Sequence, residues 1–577
     1  EAVNAQLTIG NAYYSKEEFS RAVDGFSAAV RARPDSSVAH SNLANALGEL
    51  GRTAEAIPHA REAVDLRPDY APGWSNLGVL LKEVGDPGEA ETALRRALRL
   101  QPGLIEAERN LVTVLTKSDR YVEARERARA LVEAFPESGV AWSASGKVAE
   151  ELGLPQEARE AYQRAVELVP EKVDFFNGYL FALHYNPDLP PEAIHEQYLE
   201  WDRRHGQPLS AEISPPAPVG PADRRLRVGL LSSAFRSHPV SFFTLSGLHH
   251  LPRDQFELVA FDSGSDVDHV TDLMRQEMTE WHDVGALDDA ELAERIRAEK
   301  IDILIDLIGH SKGSRLRAIA RRPAPVIAKW VGGQLGSIGM EAFDWFITDR
   351  YESPPGTEHL YTERLLRLPD DYVCYTPPDY APDVAELPAL TNGHITFACF
   401  NKLSKINDRL LETWAGILEQ VPGARIVFKT KPLDDPAARE LVRERFRQVG
   451  GDPDALDLRG WSRHADLLAT YNEVDIGLDS WPYSGGLTTC EALWMGVPVV
   501  SMAGPTFAGR HSWTHLSNAG LEDCLVDDTD SYVRRAVELA RDPEALAERR
   551  RAMRDRVAAS PLCDGPRFAR HLADGLR

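Results

Sequence analysis

Residues 474–503 read VDIGLDSWPYSGGLTTCEALWMGVPVVSMA, and this stretch decides the fold of the chain. The run 474–478 is short and mostly apolar, which predicts a buried parallel strand, and 497–502 predicts the next strand. Between them, a glycine loop leads into a predicted helix that ends before Gly496 and Pro498. Such a strand–loop–helix–strand unit presents unpaired backbone N–H groups and the positive end of the helix to an anion, most often a phosphate.

The predicted helix of this unit carries Glu491 about one turn inside its start. A carboxylate at that place can accept two hydrogen bonds from a ribose diol, so the unit would bind a nucleotide. The alternative is an ordinary βαβ crossover with a tight turn, and the pattern alone leaves both interpretations open.

The composition is that of a globular protein with several domains. The chain has 577 residues, too many for one core, which predicts roughly three to four domains. Hydrophobic residues make up 43% and charged residues 27%, which is ordinary for this class. The net charge of −24 and the pI near 5.2 argue against nucleic acid or an anionic membrane as the main partner.

The sequence favours a cytoplasmic location. It contains no apolar run of about 18 residues and no signal-peptide pattern at its start. It begins with Glu rather than Met, which leaves a trimmed leader as an alternative. The five cysteines are scattered without a CxxC pair, which suits a reducing compartment and predicts no zinc site.

The first 172 residues repeat with a period of 34. Prolines recur at this spacing, and alanines recur in the same frame (Pro34, Pro68, Pro102, Pro136 and Pro170; Ala22, Ala56, Ala90, Ala124 and Ala158). This pattern is typical of tetratricopeptide repeats, in which small residues lie where two helices touch. We predict five repeats, over 3–36, 37–70, 71–104, 105–138 and 139–172, that form a right-handed superhelix with a concave groove.

Three asparagines occupy the same position in consecutive repeats, namely Asn42, Asn76 and Asn110. An amide donates and accepts at once, so a row of amides can hold the backbone of an extended acceptor peptide without reading its side chains. The alternative is that these amides face solvent or bond within the repeats. The row is short, because Thr8 and Ala144 stand at this position in the flanking repeats.

After the repeats, the pattern of predicted secondary structure changes twice. Residues 173–224 are predicted to form aromatic-rich capping helices and a Pro-rich linker at 207–224. Alternating strands and helices then predict two Rossmann-like lobes with a cleft between them, an N-terminal lobe at 225–390 and a C-terminal lobe at 391–577 that ends in helices. The predicted strands are 226–231, 256–261, 301–307, 326–330 and 345–348 in the first lobe, and 395–400, 425–428, 456–458, 474–478, 497–502 and 524–526 in the second.

Polar residues follow or lie on several of these strands, and open α/β sheets bind ligands at strand ends. A single histidine of this kind is more often structural than catalytic, but several polar groups converging on one cleft reverse that expectation. The candidates are His238, Asp302, Asp306, His310, Gly332 and Gln334 in the first lobe, and Asn401, Lys402, Lys405 and His464 in the second.

Several common motifs are missing from the sequence. Neither lobe has GxGxxG after its first strand, and GxxxxGK[ST] and HExxH do not occur, which argues against a nicotinamide enzyme, a P-loop NTPase or a zinc protease. The DxD sequences at 266–268 and 452–454 lie in polar loops and are interpreted as solvated charge. We therefore predict chemistry without a metal.

Five stretches together resemble the protein O-GlcNAc transferase family, and the chain is similar to its bacterial members and to plant SPINDLY-type O-fucosyltransferases. They are SSAFRSHP, GHSKG, the RPAPV run, ACFNKLSKI and PYSGGLTTCEALWMGVPVV, and they follow tetratricopeptide repeats. The resemblance implies a GT-B fold and a metal-independent, inverting transferase that moves GlcNAc from UDP-GlcNAc to Ser or Thr hydroxyls of proteins.

The resemblance also implies roles for individual residues. It assigns Lys405 to the diphosphate, Glu491 to the ribose, His464 to the neighbourhood of the base and His238 to the sugar and acceptor. The remaining nucleotide-sugar contacts would come from Gly332, Gln334, Asn401, Lys402, Gly485, Gly486, Leu487, Thr488 and Thr489. His238 is the first candidate for the general base, since its ordinary pKa suits neutral pH, and Asp302, Asp306 and His310 are weaker candidates.

This sequence departs from the animal enzymes at three of these positions and lacks their long insertion between the lobes. Lys402 replaces a glutamine, Leu487 the first of two threonines, and Glu491 an aspartate. Two alternatives stay open: a fucosyltransferase using GDP-fucose (or one acting on a small glycan or lipid), and a repeat scaffold with a degenerate, non-catalytic transferase domain.

Overall fold

A computed structural model describes residues 2–16, 18–210 and 224–577. Most of the predicted Pro-rich linker, residues 211–223, lies outside the described residues. The chain divides into two compact units, one of residues 1–152 with 160–169 and one of residues 153–159 with 170–577. Within the described residues, each helix is too short or too polar to cross a membrane.

The first unit is built from helical pairs at the predicted period. Successive first helices begin at Ala2, Ser37, Ala71, Ile105 and Gly139, and consecutive helices pack side by side. The helices are α1 (Ala2–Tyr14), α2 (Phe19–Ala32), α3 (Ser37–Glu49), α4 (Thr53–Leu66), α5 (Ala71–Glu83), α6 (Pro87–Leu100), α7 (Ile105–Lys117), α8 (Tyr121–Ala134), α9 (Gly139–Glu151) and α10 (Pro155–Leu168), the last of which spans both units.

The repeated small residues lie where the two helices of a repeat touch. Ala22 and Ala56 are fully buried, and a Cβ atom at Gly78 would lie 2.6 Å from Cγ of Leu94. The repeated prolines also accept hydrogen bonds: the indole N–H of Trp74 donates to the carbonyl oxygen of Pro68 at 3.0 Å. The tetratricopeptide architecture predicted from the period is thereby confirmed.

The second unit opens with aromatic-rich helices. These are α11 (Val173–Leu183), α12 (Pro191–Trp201), a π-helical turn at Asp202–Gly206 and the short α13 (Gln207–Ser210). Trp201 is fully buried, and its ring lies 4.7 Å from that of His310 in an edge-to-face arrangement. The aromatic side chains therefore attach α12 to the first α/β lobe, as expected of a cap.

The first lobe is a seven-stranded parallel sheet in the order β3-β2-β1-β4-β5-β6-β7. Its strands are β1 (Leu226–Ser232), β2 (Phe256–Asp262), β3 (Glu280–Asp283), β4 (Ile303–Asp306), β5 (Val326–Lys329), β6 (Trp345–Asp349) and β7 (Arg364–Leu368). The connecting helices are α14 (Pro239–His249), α15 (His269–Glu277), α16 (Asp289–Ala298) and α17 (Leu316–Ile319).

The second lobe is a six-stranded parallel sheet in the order β10-β9-β8-β11-β12-β13. Its strands are β8 (Thr396–Cys399), β9 (Arg425–Lys429), β10 (Leu456–Arg459), β11 (Ile476–Leu478), β12 (Val499–Met502) and β13 (Leu525–Val526). Its helices are α18 (Ala389–Asn392), α19 (Asp408–Gln420), α20 (Pro436–Gln448), α21 (His464–Thr470), α22 (Leu487–Trp494), α23 (His511–Asn518) and α24 (Thr529–Ala540). Two further helices, α25 (Pro543–Ala558) and α26 (Gly565–Leu576), end the chain.

The strand order reverses once in each sheet, between β1 and β4 and between β8 and β11. Loops on either side of such a reversal diverge and leave a crevice at the carboxyl ends of the strands, where ligands bind. The lobes share a hydrophobic core, and Phe568 of α26 stacks on Trp330 of the first lobe at 6.0 Å. The predicted fold class, repeats followed by two Rossmann-like lobes, is confirmed.

Candidate active site

Lys405 ends the 3₁₀ turn that follows β8, next to the reversal in the second sheet. Its Nζ donates to the carbonyl oxygen of Ser484 at 2.6 Å and lies 3.7 Å from the centroid of the Tyr483 ring. Burial lowers the pKa of Lys405 to about 7, although the nearby Asp479 carboxylate acts in the opposite direction. An anion that reached this amine would strongly favour its charged form.

The glycine loop after β11 turns directly into α22. Gly486 is the N-cap of that helix and its cap has no side-chain hydrogen bond. Among the described residues, the backbone N–H groups of Gly486, Leu487 and Thr488 have no hydrogen-bond partner. Unpaired N–H groups at a helix start bind phosphate, because the partial positive charge of the helix end adds to the hydrogen bonds.

The buried side chain of Asp479 stabilises the conformation of the glycine loop. Its side chain is 2% exposed and accepts hydrogen bonds from the N–H of Gly485 at 2.7 Å and the hydroxyl of Ser501 at 2.6 Å. It also accepts from Nδ2 of Asn401 at 3.3 Å. A Cβ atom at Gly485 would lie 3.0 Å from Asp479 Oδ1 and 2.6 Å from the Thr489 hydroxyl, so glycine is required for this approach.

Glu491 lies inside α22 and is 2% exposed. His464 Nε2 lies 2.6 Å from its Oε1, and His464 Nδ1 lies 2.7 Å from the hydroxyl of Tyr380, in the segment between the lobes. Burial raises the pKa of Glu491, and the His464 hydrogen bond lowers it. The His464 ring also lies 5.6 Å from that of Phe242 in α14, so this carboxylate faces the crevice between the lobes.

His238 faces the same crevice from the first lobe, as the N-cap of α14. Its Nδ1 accepts from the N–H of Val240 at 3.3 Å, so the neutral ring carries its proton on Nε2. Burial, with the charges of Arg236 and Lys402, lowers the pKa of His238 to about 4. This geometry favours donation from Nε2 over proton abstraction, and the predicted role as general base stays a prediction.

Sequence comparison is consistent with this geometry. The profile of glycosyl transferase family 41 matches residues 213–376 and 385–572. The chain belongs to glycosyl transferase family 41. Tetratricopeptide repeat profiles match residues 7–71, 71–103 and 109–172, in agreement with the helical pairs of the first unit.

Known members of the family are similar over different shares of their length. The structure of a mutant O-GlcNAc transferase of Thermobaculum terrenum is 34% identical, with a TM-score of 0.76, and the match covers 94% of this chain and 96% of that one. The "Probable UDP-N-acetylglucosamine--peptide N-acetylglucosaminyltransferase SPINDLY" of Arabidopsis thaliana is 35% identical over 69% of this chain and 42% of its own length. The protein of the same name from Solanum lycopersicum is 33% identical over 70% of this chain and 44% of its own length. The chain therefore spans less than half the length of these plant relatives.

Two predicted catalytic carboxylates of this family 41 chain are paired with basic side chains. Asp302 precedes β4, at the amino end of the sheet, and pairs with Arg224 at 2.8 Å. Asp306 is 1% exposed and forms a buried ion pair with Nζ of Lys329 at 3.1 Å. The prediction that Asp302 acts as a base is wrong, because this residue lies at the amino edge of the sheet, away from the crevice. Asp306 ends β4 at the carboxyl edge, where its carboxylate also accepts from the N–H of Gly309 at 2.6 Å, and its role as a base stays a prediction.

The prediction for His310 is also wrong. Its ring is 1% exposed, with Nδ1 3.2 Å from Oδ1 of Asn177 and Nε2 3.0 Å from the carbonyl oxygen of Ile338. Burial lowers its pKa to about 3, so the ring is neutral. His310 links the capping helix α11 to the first lobe, and both of its ring nitrogens are engaged within the protein.

Three predicted nucleotide-sugar contacts are engaged with the protein itself. Gln334 is 3% exposed, and its Nε2 donates to the carbonyl oxygen of Ile347 in β6 at 2.9 Å. The Thr489 hydroxyl lies 2.7 Å from that of Ser512. Asn401 bonds Asp479 and accepts from the Thr488 hydroxyl at 2.8 Å. These bonds hold the loops around the site, while Oε1 of Gln334 has no hydrogen-bond partner among the described residues. The contacts of the three side chains with a nucleotide-sugar stay predictions.

The remaining predicted contacts have different surroundings. Gly332 packs so closely on the loop after β4 that a Cβ atom would lie 2.2 Å from the carbonyl oxygen of Leu307. Lys402 is exposed, and its charge lowers the pKa of both His238 and Lys405, so it lies where the two lobes face each other. Their contacts with a nucleotide-sugar stay predictions.

The side-chain amides of the three asparagines are hydrogen-bonded within the repeats. Asn110 is 2% exposed, with its Nδ2 donating to the carbonyl oxygen of Glu106 at 2.8 Å and its Oδ1 accepting from Lys82 at 3.0 Å. Asn42 donates to Asn11 at 3.1 Å, and Asn76 donates to Ser41 at 3.0 Å. The prediction of acceptor binding is wrong for Asn110, since its amide is used within the solenoid, and the row is reduced to two half-buried members.

Sequence reasoning missed Asp479 and Tyr483, although both belong to the quoted stretch. Asp479 directly follows the predicted strand 474–478, and the rule that polar residues at strand ends bind or support ligands would have selected it. No sequence signal marks Tyr483, because its contact with Lys405 joins residues 78 positions apart.

Proposed function

We propose that this chain is an inverting, metal-independent glycosyltransferase that transfers GlcNAc from UDP-GlcNAc to Ser or Thr hydroxyls of proteins. The observation that carries the proposal is the pairing of the buried Lys405 amine with the unpaired N–H groups at the start of α22. Both lie at the strand-order reversal of the second lobe, and the Glu491 carboxylate lies on the same helix. The plant relatives are named as transferases that use UDP-N-acetylglucosamine, and the bacterial relative is named an O-GlcNAc transferase, which supports this donor.

The chemistry follows from the charges. A nucleotide-sugar has two phosphates, and cleavage of its C1–O bond adds negative charge to the leaving diphosphate. Lys405 and the helix end are placed to stabilise that charge without a divalent cation. The Glu491 carboxylate, oriented by His464, would hold the ribose diol. The Nε2–H of His238 would donate to the sugar or the acceptor from the opposite lobe.

The acceptor is proposed to be a protein, and the repeats support this because tetratricopeptide solenoids bind polypeptides along extended surfaces. A direct test incubates the chain with an unfolded protein and either UDP-GlcNAc or GDP-fucose, followed by intact mass spectrometry. Addition of one N-acetylhexosamine per site is expected. Addition of deoxyhexose would favour the fucosyltransferase, and no addition or hydrolysis with either donor would favour a non-catalytic scaffold.

Glu491→Ala is expected to weaken UDP binding by about 10–100-fold, because hydrogen bonds to a charged group contribute about 1.5–3 kcal/mol. His238→Asn keeps an N-cap acceptor for α14, so it should leave UDP affinity within about twofold and lower turnover. Titration calorimetry with each variant measures the affinities, and a coupled UDP assay measures turnover. A loss of UDP affinity in His238→Asn as large as in Glu491→Ala would contradict the proposed division between the lobes.

The affinity for UDP is expected to fall as the pH rises above about 7. Burial lowers the pKa of free Lys405 to about 7, and the bound diphosphate favours the ammonium. Below pH 7 the amine is already charged, whereas above it each binding event must take up a proton, so affinity falls by up to about tenfold per pH unit. Calorimetry between pH 7.5 and 9 measures the slope, because the terminal phosphate of UDP, with a second pKa of about 6, is almost completely ionised in that range. Lys405→Ala should show no such slope, and a flat wild-type profile would contradict this assignment.

A further inference from the structure

Helix α23 begins against the glycine loop, and its first residue is His511. The next residue, Ser512, donates through its hydroxyl to the carbonyl oxygen of Gly485 at 2.8 Å. The His511 ring lies 5.7 Å from that of Tyr483, the same ring that Lys405 Nζ approaches to 3.7 Å. His511 thus lies close to the proposed diphosphate-binding amine, at the start of a helix that packs on both the glycine loop and α22.

His511 is paired with a buried carboxyl group of the first lobe. Its Nδ1 lies 2.6 Å from Oε1 of Glu352, which follows β6, and the two residues are 7% and 1% exposed. The hydroxyl of Tyr372 also lies 3.3 Å from Nδ1. Among the described residues, the Glu352 Oε2 atom has no hydrogen-bond partner. With Nδ1 engaged by Glu352, Nε2 is the ring nitrogen available to a ligand at the glycine loop.

We propose that His511, held by Glu352, donates a hydrogen bond from Nε2 to the leaving diphosphate, next to Lys405. This inference rests on the proposed function, because it names a further contact of the same nucleotide-sugar site. It also assigns a role at the leaving group to the first lobe, which supplies Glu352.

The surroundings of the pair favour its neutral form, with one proton on Glu352 and one on His511. Burial raises the pKa of Glu352 well above its ordinary value, with Asp349 and Asp371 acting in the same direction and His515 and Arg510 against it. Burial lowers the pKa of His511, and the neighbouring Lys405, His515 and His184 lower it further. These opposite shifts favour the neutral pair, in which the carboxyl group donates to Nδ1 and the ring keeps its own proton on Nε2.

Charge development on the diphosphate would move one proton within this pair. The proton passes from Oε1 of Glu352 to Nδ1 of His511, which leaves a carboxylate and an imidazolium whose Nε2–H bonds a phosphate oxygen. No proton leaves the pair, and release of the nucleotide reverses the transfer. The site would thereby gain a positive charge beside the leaving group only when a diphosphate is present.

The same helix offers a matched control. His515, one turn further along α23, forms a similar buried pair with Asp371, with Nδ1 2.8 Å from Oδ2. Among the described residues, no hydrogen bond or ring contact joins His515 to the glycine loop. Breaking this second pair tests the cost of losing a buried histidine–carboxylate contact that acts on Glu352 and His511 only through its charge.

The test compares the binding of UDP and UMP, which differ by the β-phosphate. His511→Phe keeps the ring volume among Tyr372, Tyr483 and Phe507 and removes both nitrogens. We expect it to weaken UDP binding about tenfold, equivalent to about 1.4 kcal/mol, and to leave UMP binding within about twofold. Glu352→Gln keeps a partner for Nδ1 but cannot transfer a proton, so kcat should fall with a smaller change in KM. His515→Gln should change the UDP-to-UMP affinity ratio by less than about twofold.

The outcomes are distinguishable. If His511→Phe weakens the binding of UDP and UMP equally, or weakens neither, while Lys405→Ala weakens the binding of UDP, this inference is wrong and the proposed function stands. If the wild-type chain binds neither UDP nor GDP, the proposed function fails and the inference with it. Thermal unfolding controls for folding, and if His511→Phe does not fold, the kcat and KM of the isosteric Glu352→Gln decide the question.

Discussion

Lys405→Ala is expected to lower transferase turnover by roughly 10²–10³-fold, the loss seen when one preorganised charge-stabilising donor is removed. Lys405 supplies the buried positive charge beside the glycine loop, and no water can replace a fixed ammonium at that place without reorganisation. The measurement is initial-rate kinetics with UDP-GlcNAc and a protein acceptor at saturating donor. EDTA should leave the wild-type rate unchanged under the same conditions.

The matched control is Lys117→Ala, which removes an exposed lysine from α7 of the first unit. It should keep wild-type turnover for donor hydrolysis. Near-normal turnover in Lys405→Ala would rule out the assignment of this residue to the leaving group, and a strict requirement for Mg²⁺ or Mn²⁺ would contradict a metal-independent reaction.

Asp479→Ala is expected to abolish nucleotide binding and to destabilise the second lobe by about 3 kcal/mol or more. The substitution leaves the N–H of Gly485 and the hydroxyl of Ser501 without their buried acceptor, and each such loss costs about 1–3 kcal/mol. Without this acceptor the glycine loop cannot keep its N–H groups at the start of α22 in place. Denaturant unfolding and UDP titration measure the two effects separately.

Asp475→Ala provides the comparison, since Asp475 lies at the opposite end of β11. Its carboxylate accepts from the N–H groups of Ala389 and Thr396 at 2.9 and 2.8 Å, and it is fully buried. It should destabilise the fold while the folded protein keeps its UDP affinity. The role assigned to Asp479 is wrong if both variants lose stability to the same extent and both still bind UDP normally.

The strands predicted from apolar runs are present, and the two that were not predicted have a common cause. β3 (EWHD) and β7 (RLLRL) are the two edge strands of the first sheet. An edge strand is covered on fewer sides, so it need not form an unbroken apolar run. Three of the four residues of β3 are polar, and two arginines interrupt or flank the leucines of β7. The central strands, buried on both faces, carry the signal that made two doubly wound lobes predictable.

The candidate site was predictable where function depends on local sequence. The glycine loop, Lys405 and Glu491 occupy positions set by strand ends and the helix start, and the structure brings them together. Asp302 shows the limit of that rule, because it precedes its strand and so lies at the opposite edge of the sheet from the crevice. Its side chain has the right chemistry for a base but lies at the wrong end of the strand.

The sequence by itself determined the features that repeat or lie within a few residues of each other: the 34-residue period, the strand–loop–helix unit and the sites of unpaired N–H groups. The tertiary structure alone decided which polar side chains are free for a ligand. Nδ1 of His310 contacts Oδ1 of Asn177, 133 positions away, and Nδ1 of His511 contacts Oε1 of Glu352, 159 positions away. Local pattern constrains backbone conformation through short-range sterics and hydrogen bonding, whereas the partner of a buried polar group depends on which distant segments the packed core brings into contact.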